Sequence, residues 1–130
     1  MKRSLLMLGL AATAMQVQAE PVDGKTVFAK NCAACHQASG AGIPGAFPAL
    51  KGNTYLQGEA EPVIATVLKG RAGMPAFAAS LDDAQLAAVL SYARGAWGNK
   101  AGEVSSSQTA AVRGAANAPA STQEKATIIH

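Results

Sequence analysis

The chain reads as a small all-α protein, and three observations carry that reading. Apolar residues recur at helical spacing in three separate segments, no alternating apolar and polar run is long enough for a strand, and glycine with proline collects between the periodic segments. At 130 residues and 13.1 kDa the chain has room for one modest domain.

Taken in order, the first residues resemble a targeting segment. Lys2 and Arg3 precede an apolar run from Leu5 to Met15, and Val17-Gln18-Ala19 reads as a small-residue cleavage site. Residues 1–19 are therefore expected to be a cleaved leader, with Glu20 as the mature N-terminus in an oxidising compartment, the periplasm. The alternative is an uncleaved anchor, but the run is much shorter than the roughly 20 residues a spanning helix needs. No other stretch is suited to stable membrane insertion.

A first helix is expected from Asp23 to about Ala34, with Asp23 as its cap, Val27, Phe28 and Asn31 on one face, and two cysteines at its end. Ser39 to Pro48 contains three glycines and two prolines and is expected to be a loop. A second helix follows, with Pro62 in its first turn, Val63, Ile64, Val67 and Leu68 as its stripe and Gly70 as its stop. The third is the most regular. Ser80 with Asp83 resembles a capping box, and Leu86, Val89, Leu90, Ala93 and Trp97 recur on one face before Gly95 and Gly98 end it. Ser105 to Arg113 suits one more short helix, with Val112 packing back. Gly114 to His130 is expected to be a disordered tail, since it offers few apolar groups against the entropy of ordering. The expected organisation is thus leader 1–19, domain 20–113 and tail 114–130.

Charge narrows the function classes. Removing Lys2 and Arg3 from eleven basic residues leaves nine against eight acidic ones, a net charge of +1. Neither a basic stripe nor interleaved aromatics is present, so no nucleic-acid partner is expected. Leader removal also takes three of the four methionines, leaving Met74, and the histidines are His36 and His130.

Cys32-Ala33-Ala34-Cys35-His36 has the spacing that attaches haem covalently: two thiols add to two vinyl groups and the adjacent histidine reaches the iron. A disulfide reading leaves His36 unexplained and needs a thioredoxin-like alternation of strands and helices. A zinc site needs four ligands, and the only further histidine is remote. A thioether is the usual partner of histidine in electron-transfer haem sites, and Met74 sits in Gly70-Arg71-Ala72-Gly73-Met74-Pro75, between the second and third helices. The alternative for Met74 is a core residue filling a gap. The expected cofactor-binding residues are Cys32, Cys35, His36 and Met74, with His36 and Met74 on the metal. With both axial positions filled by protein there is no open site for substrate, so one-electron transfer is expected rather than catalysis. A domain this small gains core and staple together from such a haem.

These residues resemble class I cytochromes c, small mono-haem carriers, over roughly Val22 to Trp97. The resemblance implies a small cytochrome c fold of three main helices around one covalent haem c. It also implies a crossing of first and last helices at Gly24, Phe28, Val89 and Tyr92, and a Pro48 carbonyl that accepts from the ring N–H of His36. Asn53, Tyr55, Arg71 and Trp97 become candidates to meet the haem propionates, with simple packing equally open for Tyr55 and Trp97. The implied partners are redox proteins, a dehydrogenase as donor and an oxidase or another cytochrome as acceptor. Other readings are a haem enzyme or sensor with an open sixth position, and a dedicated subunit of a dehydrogenase complex.

Overall fold

A computed structural model describes Met15 and residues 20–118. The rest of the expected leader and residues 119–130 of the expected tail lie outside the described residues. Among these there are five helices and no strands, only the isolated bridges Ile43–Phe47 and Arg71–Met74. The helices are α1 (Gly24–Asn31), α2 (Ala33–His36), α3 (Ala60–Lys69), α4 (Asp83–Gly95) and α5 (Ser106–Asn117). The three long helices expected from the sequence are α1, α3 and α4. None of the described helices is long and apolar enough to cross a membrane.

Asp23 caps α1 as expected, its carboxylate accepting from Lys25 N and Thr26 Oγ1. Those contacts, the Thr26 hydroxyl first, hold its carboxyl below its ordinary range. The single helix expected to run to Ala34 is instead two. Cys32, at φ −124° and ψ −32°, leaves helical geometry, closes α1 by donating its N–H to Phe28 O, and opens the one-turn α2. The capping box of α4 is also displaced from the expected Ser80 and Asp83. Asp82 accepts from Gln85 N at 2.8 Å, and Gln85 Oε1 accepts from Asp82 N at 3.0 Å. The helix begins at Asp83, so Ser80 stands too far upstream to reach its free N–H groups.

The core forms where α1 crosses α4 and where α5 packs on both α4 and α3. Val27, Phe28, Val63, Ile64, Leu68, Leu86, Val89, Leu90 and Ala93 are buried in it. Gly24 makes the crossing possible: a Cβ there would lie 2.0 Å from the carbonyl oxygen of Ala88. Beyond the glycine, the rings of Phe28, Tyr92 and Trp97 meet with centroids 5.2 to 5.7 Å apart, Phe28 tilted against the other two and Tyr92 edge-on to Trp97. Trp97 is not on the helical face where it was expected. It follows the end of α4 with φ +55°.

The last helix is capped by Ser105 and continues to Asn117, one turn past the expected end at Arg113, so residues 114–117, placed in the expected disordered tail, are helical. Thr109 is fully buried and its hydroxyl lies 2.9 Å from Asp83 O. Arg113 donates to Asp83 Oδ1, Ala78 O and Leu81 O at 2.6 to 2.8 Å, tying α5 to the segment that enters α4. Val112 is half-buried against the core, as expected.

Candidate functional site

Every element contributes one wall to a single cavity of about 550 Å³, except α5. Cys32, Cys35 and His36 come from α2 and its cap, Phe47 and Pro48 from the following loop, Val63 and Val67 from α3, Val89, Leu90 and Ala93 from α4. Met74 and Pro75 come from the loop between α3 and α4. The cavity falls within the roughly 300–1,000 Å³ of small-molecule and cofactor sites, and its lining is mostly aliphatic and aromatic. Four residues singled out by spacing and by counting thus line one space, although 38 positions separate His36 from Met74.

Local backbone explains the placement of each. Because α1 stops at Asn31, the one-turn α2 brings both cysteines and His36 to the same wall. His36 N–H closes this turn on Cys32 O at 2.9 Å. The His36 side chain is buried, and its Nδ1 lies 2.9 Å from Pro48 O. A carbonyl only accepts, so Nδ1 is the donor and Nε2 is the ring nitrogen left to bind a metal. Met74 is held by a tight turn in which Arg71 N donates to Met74 O and Met74 N to Arg71 O, at 3.1 and 2.9 Å. Phe77 N and Ala78 N then bond Val67 O and Leu68 O, which fixes the loop against the end of α3.

Both cysteines are free of a disulfide. Burial pushes the Cys32 thiol up to about 11, and the neighbouring Cys35 acts in the same direction. It is therefore protonated at neutral pH, the opposite of the low-pKa thiolates of disulfide-exchange sites. Arg71 is the one residue of the lining that is an arginine, lysine, aspartate or glutamate, and its guanidinium carbon lies 5.9 Å from the Tyr55 ring centroid.

Of the other polar candidates, Asn53 and Tyr55 line the cavity but spend their polar atoms locally. Asn53 donates to Ala49 O and accepts from Leu56 N. The Tyr55 hydroxyl is 3.0 Å from Pro62 O and 2.8 Å from Thr66 Oγ1. Trp97 is not part of the lining, and its indole N–H donates to Ala38 O at 2.9 Å. Sequence reasoning missed Asn31 and Thr66 on the wall. It also missed Asn99, which is buried and makes three hydrogen bonds. An asparagine just past a helix-ending glycine was the available signal.

A family model described as cytochrome c oxidase, cbb3-type, subunit III matches residues 19–92, more than half of the chain. The chain belongs to the cytochrome c family. Among its relatives, a cytochrome c-552 of Thermus thermophilus is 37% identical over 115 residues, covering 76% of this chain and 74% of that protein. A cbb3-type cytochrome c oxidase subunit CcoP of Azospirillum brasilense is 38% identical over 84 residues, and this cytochrome spans 28% of its length. The cytochrome c subunit of a quinone alcohol dehydrogenase from Gluconacetobacter polyoxogenes is 32% identical over 92 residues, and only 20% of it is spanned. The cofactor of this cytochrome is covalently bound haem c, and its activity is electron transfer. The residues present fit the group: two thiols without a disulfide, a histidine with Nε2 free, a thioether and an apolar cavity.

Proposed function

We propose that this cytochrome is an exported one-electron carrier that passes electrons between a dehydrogenase and a terminal acceptor such as an oxidase. In this reading Cys32 and Cys35 form the thioethers and His36 and Met74 take the axial positions. Bound haem c supplies a one-electron iron couple. The protein binds it, orients it and keeps water away, with no acid, base or nucleophile required.

The observation that carries the reading is the meeting of Cys32, Cys35, His36 and Met74 on one apolar cavity, with the His36 ring held by Pro48 O. His36 and Met74 are a ligand pair suited to electron transfer, because the thioether favours ferrous iron. The leader pattern in residues 1–19 suits export to an oxidising compartment. The relatives named as oxidase and dehydrogenase subunits support redox proteins as partners.

Two measurements test this. Intact mass of the protein from its native host should give the chain from Glu20 plus one haem. Met74→Ala should keep covalent haem but admit carbon monoxide or cyanide readily, with loss of the sulfur-to-iron band at the red edge of the visible spectrum. A variant that keeps the parental spectrum and resists both ligands would show that another group completes the iron.

A further inference from the structure

Past the end of α4 the backbone makes a tight turn. Trp97 has φ +55° and Gly98 φ +88°, and Asn99 N closes the turn on Ala96 O at 2.8 Å. A non-glycine residue held in the left-handed region costs free energy, so something in the surroundings must hold Trp97 there.

The turn reaches across to the loop between α2 and α3 and grips it at both ends. Near the start, Trp97 Nε1 donates to Ala38 O at 2.9 Å. Gly40 lies on the face of the same indole, so close that a Cβ would meet the ring at 2.5 Å, and its φ of +67° is one that glycine accepts freely. Near the end, Asn99 Nδ2 donates to Leu50 O at 3.0 Å while Asn99 Oδ1 accepts from Gly52 N at 2.8 Å. Asn99 is itself tied to α4 through Ala93 O at 2.9 Å. Leu50 N and Lys51 N both donate to Gly40 O, at 2.8 and 2.9 Å, which joins the two gripped ends to each other.

Pro48 lies between these anchors. It has no N–H with which to secure itself, and its carbonyl is the group that meets His36 Nδ1. The place of that carbonyl is therefore set on one side by the bridge between Ile43 and Phe47 and on the other by Leu50 and Gly52, which Gly40 joins, and Trp97 and Asn99 hold Gly40, Leu50 and Gly52. We propose that Trp97 and Asn99 are positioning residues that hold the Pro48 carbonyl on the His36 ring and so fix the orientation and basicity of that ring as an iron ligand. The inference rests on the reading of His36 as an axial ligand.

The holoprotein, reduced and labelled with 15N, supplies the test. The His36 Nδ1 proton is first located by its displacement in the ring current of the porphyrin. Its exchange with solvent is then measured in three variants, together with the reduction potential. Trp97→Phe keeps an aromatic ring against Gly40 and Phe28 but removes the donor to Ala38 O. Asn99→Asp keeps the acceptor for Gly52 N and loses two donated bonds, and Asn99→Ala loses all three. Exchange should quicken by about tenfold in the first, the equivalent of one typical hydrogen bond, and further in Asn99→Ala. The potential should rise in step, because a less basic imidazole favours ferrous iron, while the sulfur-to-iron band persists. Lower melting temperature with unchanged exchange and potential overturns the proposal and leaves the turn merely structural. Should Asn99→Ala fail to fold, Trp97→Phe and Asn99→Asp decide. If the unsubstituted protein shows no haem-shifted ring proton, His36 is not the ligand, and the functional reading falls together with the inference.

Discussion

Arg71 sits at the lip of the cavity, exposed, with its guanidinium stacked over Tyr55 rather than paired with a carboxylate among the described residues. A positive charge beside iron stabilises the ferrous state against the ferric one. Arg71→Gln should therefore lower the reduction potential, by roughly 20 mV, the scale set by the few tenths of a kcal/mol that exposed charges contribute. Voltammetry at low and high salt measures it, and the difference should shrink as salt screens the charge. An unchanged potential would place Arg71 outside the haem's electrostatic reach. The sequence named Arg71 with Asn53, Tyr55 and Trp97 as one polar group but did not rank them. Residue type alone tells what a side chain is able to bond. Which bond it makes depends on neighbours brought from 4 to 59 residues away, as Ala49 is for Asn53 and Ala38 for Trp97. Cys32, Cys35 and His36 were legible because their chemistry is fixed by adjacent positions, and Met74 because it is the one methionine outside residues 1–19.

The crossing of α1 and α4 decides whether the cavity has a floor, since Val89, Leu90 and Ala93 line it from the same helix that Gly24 touches. Two effects oppose each other at position 24. Alanine is a better helix former than glycine by up to about 1 kcal/mol in a helix interior, and less in a first turn. Against that, its methyl would overlap the Ala88 carbonyl and come within 2.9 Å of Tyr92 Cβ, contacts that backbone atoms cannot yield without moving a helix. Overpacking of this kind costs about 1–3 kcal/mol or more, so the clash wins. Gly24→Ala should lower the denaturant midpoint of the holoprotein clearly while the slope of the transition stays the same. A gain in stability would mean that the helices separate without penalty. This crossing was implied by the resemblance to class I cytochromes c, and the three long helices were foreseeable from their apolar stripes. The break at Cys32 and the shift of the cap from Ser80 to Asp82 were not. Each depends on a difference of one or two residues in where a backbone leaves helical geometry, and several residues nearby have side chains able to cap.

At the scale of the whole molecule the question is how a partner finds the haem. Ala46, Phe47, Ala72 and Gly73 line the cavity and are exposed, so they form its rim. Ile43, bridged to Phe47, is 41% exposed, and Ala76 is exposed next to the Met74 loop. The rim segments 33–34, 41–46 and 72–77 contain no lysine, and Lys51 and Lys69 are absent from the cavity lining. The opposing possibility is a docking face built on Lys51, Lys69 and Arg71, which would attract an acidic partner over long range. Such attraction is screened within about 10 Å at 0.1 M ionic strength, and charge-steered rates fall steeply as salt rises. Contact through a small apolar patch is instead short-ranged and nearly indifferent to salt, because it gains by removing water from Ile43 and Phe47 rather than by field. The chain's modest charge, nine basic against eight acidic residues once Lys2 and Arg3 are set aside, leaves little net field to steer with. Stopped-flow oxidation by a cognate oxidase should consequently change much less than about tenfold between low and high ionic strength. Ile43→Asp should slow it at every salt concentration without altering the visible spectrum. A tenfold or larger fall with salt, abolished by substituting Lys51 and Lys69 with glutamine, would falsify the apolar docking face and move the contact to those lysines.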